Sequence, residues 1–367
     1  MITIWKRLLD RLENENWRNH AMYIKNYEDG DEEKIIPLLQ HVFTRGQFDL
    51  EIWNWQYKQN PSGFFNNIWM MIDNDEVVGH YAIIPQRMII SGRQYLGAQS
   101  IQTATHESHR RRGIFKKLAE KTFQQAKEQR ILIIYGFAVE ASYHGFVKHL
   151  EWKYFFPLVR LTTILNVDEF FKDAKTWKFL FKLRARLKRK RKEIGESPLK
   201  IEQVARFDEE YESFWNQNRK HFEVITVRDS AYLNWRFVDR PYRTYENFIC
   251  RDKKGDVVGY VVLRTEIKEK KGIILDLLAK NNGIAEDLIN CVITYYESRN
   301  INAIYTNLSR DNIYYKQFKK CGFIDRGAPD FANRLVARIN IENSLTSIFQ
   351  NIDGTKWFIT RGDSDTA

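Results

Sequence analysis

The stretch Thr105-His106-Glu107-Ser108-His109-Arg110-Arg111-Arg112-Gly113-Ile114-Phe115 follows a strand-like run and opens a helical one. A glycine-containing turn at that junction leaves the N–H groups of the helix start without acceptors, and three arginines surround it. Such a turn holds anionic oxygens, a diphosphate above all. The pattern predicts a phosphorylated cofactor handled by the first half of the chain.

The flanks give the turn its setting. Upstream, Ile68 to Ile72, Val77 to Pro85, Met88 to Ile90 and Gln94 to Thr105, separated by polar and glycine turns, read as three or four antiparallel strands. Downstream, Gly113 to Gln129 has helical spacing, with Ile114, Leu118, Phe123 and Ala126 on one face. Ile131 to Phe137 is almost wholly apolar, as a central strand is. A short helix at Ser142 to His149 and a last strand at Leu158 to Val167 complete the predicted domain. Ahead of the meander lie a strand at Tyr23 to Tyr27, a helix carrying Ile35, Leu38 and Leu39, and an aromatic-rich helical stretch from Leu50 to Tyr57.

The plan then repeats. Asp75-Glu76-Val77-Val78-Gly79-His80-Tyr81 is matched by Gly255-Asp256-Val257-Val258-Gly259-Tyr260-Val261, and Gly113 and Gly283 open equivalent helices 170 residues apart. An internal duplication explains this. The fold class expected is α+β, with two tandem domains on mixed, largely antiparallel sheets. The segments are an amphipathic helix at 1–20, a first domain at 21–168, a basic helical linker at 169–204 and a second, degenerate domain at 205–367.

Composition narrows the function. At 367 residues, with 43% hydrophobic and 14% aromatic residues, the chain is long enough for two folded domains. Of the formal charge of +11, residues 181–192 alone contribute 8, leaving +3 for the rest. No polyanionic partner is therefore demanded outside that block. Three scattered cysteines build no disulfide scaffold, no run reaches membrane-span length, and the default compartment is a reducing cytoplasm. No His or Cys cluster has metal-ligand spacing along the sequence.

On these residues the chain resembles the GCN5-related N-acetyltransferase family, over roughly 20–168 and 205–335. The family's diphosphate loop has Gln or Arg, two residues, Gly, one residue, then Gly or Ala. Arg110, Gly113 and Phe115 occupy those places, with Arg111, Arg112 and Ile114 between them. Phe115 departs from the small residue, so either the loop stands off the cofactor or the ring turns into the core. In the second copy Lys280 replaces the leading Arg, and Cys321-Gly322-Phe323 matches the family's closing signature better than Leu150-Glu151-Trp152.

The resemblance implies acetyl-CoA as cofactor, its pantetheine arm lying between backbone groups of Thr103, Ala104 and Thr105 on one strand and Phe137 and Ala138 on the next. It also implies direct acyl transfer to an amine, with a small polar acceptor such as an amino sugar. Glu107 stands near the family's base position, although its arginine neighbours would lower its pKa and suit it to orienting or relaying a proton. His106 and His109 flank it, and along an extended segment His106 would face away from Glu107. The family tyrosine is missing, with Val147 and Phe318 at its places. Tyr143 is the substitute one helical turn earlier, and His144 its rival. The oxyanion donor is expected from the Phe137 or Ala138 N–H.

The acceptor is less constrained. Trp53, Trp55, Tyr57 and Trp69, or Tyr232 with Trp235-Arg236-Phe237 at the domain junction, offer cleft walls, though most of 10 tryptophans belong to cores. Residues 177–192 interleave Trp, Phe and Leu with bases, a pattern suited to an interdomain helix, an anionic membrane surface or RNA. The plan also resembles the peptidoglycan-bridge aminoacyltransferases. A cell-wall or lipid aminoacyltransferase and a non-catalytic partner protein therefore stand as alternatives.

Overall fold

The computed structural model describes residues 22–44, 46–166, 199–328, 334–340 and 356–365. The expected helix at 1–20 and the basic stretch 177–192 lie outside the described residues. In chain order the elements are β1 (Tyr23–Asn26), α1 (Glu32–Val42), α2 (Leu50–Trp53, running into a π turn at Asn54–Lys58), β2 (Ile68–Asp73), β3 (Glu76–Ile90), β4 (Arg93–Thr105), α3 (Ile114–Glu128), β5 (Ile133–Ala138), α4 (Glu140–His144), β6 (Lys153–Pro157) and β7 (Val159–Ile164). The second half gives β8 (Lys200–Val204), α5 (Glu209–Asn218), β9 (Val224–Thr226), α6 (Ser230–Phe237), β10 (Glu246–Arg251), β11 (Val257–Glu266), β12 (Lys271–Ala279), α7 (Asn282–Ser298), β13 (Ala303–Leu308), α8 (Tyr315–Lys320), β14 (Ile324–Asp325), β15 (Arg334–Ile339) and β16 (Trp357–Phe358).

Two mixed sheets result. The first runs β1-β2-β3-β4-β5-β15-β6, with β9 on β3 and β16 on β9; the second runs β14-β7-β13-β12-β11-β10-β8. Each sheet has the same parallel pair at its centre, β4 with β5 and β12 with β13.

The duplicated Val-Val-Gly has a packing reason. A Cβ on Gly79 would lie 2.5 Å from Ile114 of α3, and one on Gly259 would lie 2.9 Å from Leu288 of α7. In both lobes the glycine lets the helix sit directly on the strand. On α3 the buried face is Ile114, Leu118, Ala119, Thr122, Phe123 and Ala126, packed on Tyr81, Ile83, Ala98 and Ile134. The opposite face of the first sheet joins α1, α2, α6 and the second sheet in one continuous apolar core.

Three expectations need correction. The strand at Leu158 to Val167 does not close the first sheet: β7 pairs with β13 and β14 of the second. In return β15, from the second half, pairs with β5 and β6 of the first. The lobes exchange equivalent strands, so a boundary at residue 168 separates sequence copies but divides both sheets. Lys200–Val204, assigned to the linker, is an edge strand on β10. Val77 to Pro85 and Met88 to Ile90 are one strand, because between Ala82, where β2 ends, and Met88, where β9 begins, β3 needs ladder partners only on β4 and tolerates Pro85.

Candidate active site

β4 carries a bulge where it approaches the loop. Ala82 faces Ile101 and His80 faces Ala104, so Gln102 and Thr103 together stand opposite the single residue Tyr81 of β3, and Gln102 takes φ 49°. The bulge is anchored from below: the Gln102 carbonyl meets His80 Nδ1 at 2.8 Å, and its side chain bridges Tyr57 and Gln56 at 2.9 Å each. Burial lowers the His80 pKa to about 4, so the imidazole is neutral at pH 7.

Beyond the strand the chain turns through a 3-10 turn at Glu107–His109 and reaches Arg111 at φ 64° and Gly113 at φ 76°. The first α3 hydrogen bond runs from the Lys117 N–H to the Gly113 carbonyl at 3.1 Å, so the N–H groups of Ile114, Phe115 and Lys116 have no acceptor within the helix. Among the described residues no backbone carbonyl takes the N–H of Arg111, Arg112 or Gly113. Gly113 supplies no cap, and a Cβ there would meet nothing within 4 Å. Arg110, Arg111 and Arg112 are all exposed around this turn. Phe115 turns inward against Tyr81 at 6.0 Å and Phe146 at 5.6 Å, which removes its bulk from the loop mouth.

The two strands beside the loop part. β4 and β5 pair only at Ala98–Gln99 with Ile134–Tyr135. Past that point Ser100–Thr105 pairs with β3 alone and Gly136–Ala138 with β15 alone. A slot therefore lies between Thr103, Ala104 and Thr105 on one side and Phe137 and Ala138 on the other. Hydrogen bonding alternates along an antiparallel pair, so one of Phe137 and Ala138 directs its N–H to β15 while the other turns it toward the slot.

Glu107 and His106 sit at the loop end of this slot, and their segment is a turn, not a strand. Both side chains therefore converge, contrary to the alternation expected. Glu107 Oε2 lies 2.8 Å from Nε2 of His41, whose ring stacks on His106 at 4.8 Å. The hydrogen bond from His41 holds the exposed Glu107 carboxyl below the usual carboxylate range. His41, 66 residues upstream, carried no local signal. Tyr143, half-buried on α4, lies beneath the Arg334 guanidinium at 4.7 Å, and Arg334 is in register with Ala138. His144 is exposed, 4.0 Å from Glu140.

At the root of the slot a buried void of about 10 Å³, room for roughly one water, lies between the lobes, lined by Trp55, Ile84, Gln86, Gln99, Tyr232 and Trp235, among others. Gln99 is the last β4 residue paired with β5, and the Oε1 of Gln86, itself 2% exposed, has no partner among the described residues. Trp53, Tyr57 and Phe237 are buried core residues, as most tryptophans and their neighbours were expected to be.

The model of the acetyltransferase (GNAT) domain family matches residues 23–154. These residues form a GNAT domain. No curated protein matches the sequence. Among solved structures, a probable N-acyltransferase from Enterococcus faecalis superposes with a TM-score of 0.63 at 12% identity, over 87% of this chain and 72% of that one. A GCN5-related N-acetyltransferase from Anabaena variabilis gives 0.63 at 15% identity, over 88% and 73%. The Saccharomyces cerevisiae N-myristoyltransferase with bound myristoyl-CoA gives 0.57 at 11% identity, over 88% and 84%. These likenesses span both lobes, so the GNAT domain and its second copy share an architecture with each.

Against the GNAT domain the second lobe differs at both key places. Asn281 caps α7 by accepting the Ile284 N–H at 3.0 Å, so that helix start is self-satisfied. The gap between β12 and β13 is filled: the Tyr314 hydroxyl exchanges hydrogen bonds with both backbone groups of Ala279 at 2.9 Å, and Thr360 reaches Asp276 at 2.9 Å. Among the described residues no helix is long and apolar enough to cross a membrane.

Proposed function

We propose that the first lobe transfers an acyl group, acetyl in the simplest case, from the thioester of coenzyme A to the amine of a small polar acceptor. The uncapped start of α3 behind Arg110, Arg111 and Arg112 carries this reading, because it places unpaired N–H donors and guanidinium groups at the mouth of the only parallel-strand gap left open among the described residues. Gly113, Ile114 and Phe115 contribute backbone N–H groups to the diphosphate, and the arginines supply charge-assisted contacts. The pantetheine arm lies along the slot, hydrogen-bonded to backbone of Thr103 to Thr105 and of Phe137 or Ala138.

The acceptor meets the thioester in the slot. Its nitrogen attacks the thioester carbon, the C–N bond forms as the C–S bond breaks, the nitrogen passes a proton to solvent water and the departing thiolate gains one. The slot-facing N–H of Phe137 or Ala138 steadies the carbonyl oxygen, and Tyr143 gives the thiolate its proton. Glu107, His106 and His144 lie at the loop end or on the exposed face of α4, where they orient the cofactor.

Isothermal titration of acetyl-CoA into the native protein and into Gly113→Trp tests the reading. Binding by the native chain and its loss in a variant with an unchanged circular dichroism spectrum are expected. Failure of the native chain to bind would overturn it. Thiol release across an amine library then identifies the acceptor.

A further inference from the structure

We propose that His41, His106 and Glu107 form a binding site for a divalent transition metal of the zinc type. One donor atom from each of the three side chains lies within 4.8 Å of the others. They come from two elements, the last turn of α1 and the turn after β4, so the cluster is made by the fold.

The chemistry of the donors is specific. Two imidazoles and one carboxylate are a ligand set zinc takes readily, with at least one position left for water or a further oxygen. His41 Nε2 and Glu107 Oε2, 2.8 Å apart, share a proton where an ion would sit. An outer shell is already in place: His106 Nδ1 meets the Ser108 hydroxyl at 2.7 Å, that hydroxyl meets His109 Nδ1 at 2.8 Å, and His109 Nε2 meets Asp73 at 2.8 Å. A side-chain partner of this kind on one ring nitrogen leaves the other nitrogen of a ligating histidine as the donor. His41 and His106 are stacked at 15°, so coordination requires the His106 ring to swing out of the stack until its lone pair points at the ion. Both histidines have room to move, since His41 is exposed and His106 half-exposed.

The ion would lie three residues ahead of Arg110, adding positive charge beside the diphosphate turn. The inference stands apart from the acyl-transfer reading, since it concerns metal affinity alone.

Zn²⁺ is titrated calorimetrically into untagged, chelator-treated full-length protein, and the absorption spectrum of the Co²⁺ form is recorded. One site is expected, without a thiolate charge-transfer band. His41→Ala and Glu107→Gln should each weaken it by about tenfold or more, while His221→Ala on the second lobe leaves it unchanged. Circular dichroism of each variant checks the fold. Absence of Zn²⁺ binding, a thiolate band, or wild-type affinity in both variants would overturn the proposal.

Discussion

The indole N–H of Trp55 donates to the carbonyl of Trp235 at 2.7 Å, and the indole N–H of Trp235 donates to the carbonyl of Trp55 at 2.8 Å. The rings stack at 5.0 Å and 17°, both 3–4% exposed. Residues 180 positions apart thus satisfy each other's buried donors and carbonyls across the lobe boundary, and together they line the small void between the lobes.

Replacing either tryptophan by phenylalanine keeps a ring but leaves a buried carbonyl unpaired, a loss of about 1–3 kcal/mol. Urea unfolding of W55F, W235F and the double variant should show a coupling energy of about 0.5–3 kcal/mol. Strict additivity would show that the pair does not act as a unit.

His80 makes stability depend on pH. Above pH 6.5 its ring is neutral in both folded and unfolded chains. As the pH falls, the unfolded chain takes up a proton that the buried ring refuses until about pH 4. Stability is therefore lost across the window from 6.5 down to 4, by on the order of 3 kcal/mol from this group. His80→Gln should flatten that part of the stability profile measured by urea unfolding at pH 7, 6 and 5.

Arg228, 1% exposed, binds Asp276 at 3.0 Å and Asp363 at 2.6 Å. Arg228→Met leaves two buried carboxylates without a counter-ion and should cost about 3–5 kcal/mol. Thermal melting should show a far larger drop than for Arg206→Met, whose partner Asp239 is at the surface.

The three loop arginines are exposed, so changing all of them to glutamine should leave the melting temperature unaltered. Acetyl-CoA affinity should fall by about tenfold or more, and its dependence on salt should weaken with it. Calorimetry at two ionic strengths reads both.

Local features were legible in the sequence. The strand, turn and helix around Arg110 to Gly113, the apolar β5 and the repeated Val-Val-Gly all lie within short windows where periodicity and turn chemistry act. Partners set by distant segments were not. Val159–Ile164 alternates as a strand would in either sheet, and nothing within it names β13 rather than β6. His41 beside Glu107 and Trp55 beside Trp235 depend on how helices settle on the sheets. His106 was misread because the strand was extended past Thr105, where the turn begins. The slot itself was placed by resemblance, and the parting of β4 from β5 after Gln99 gives it a physical outline.

The exchange of β7 and β15 ties the second copy to the first. The strand that borders β5, and so shapes one wall of the slot, is encoded beyond the helix, filled gap and cap of the second lobe. A gene severed between the copies would yield two polypeptides, each with a bare sheet edge prone to self-association, that regain solubility only when produced together. The second copy persists as the first one's missing piece.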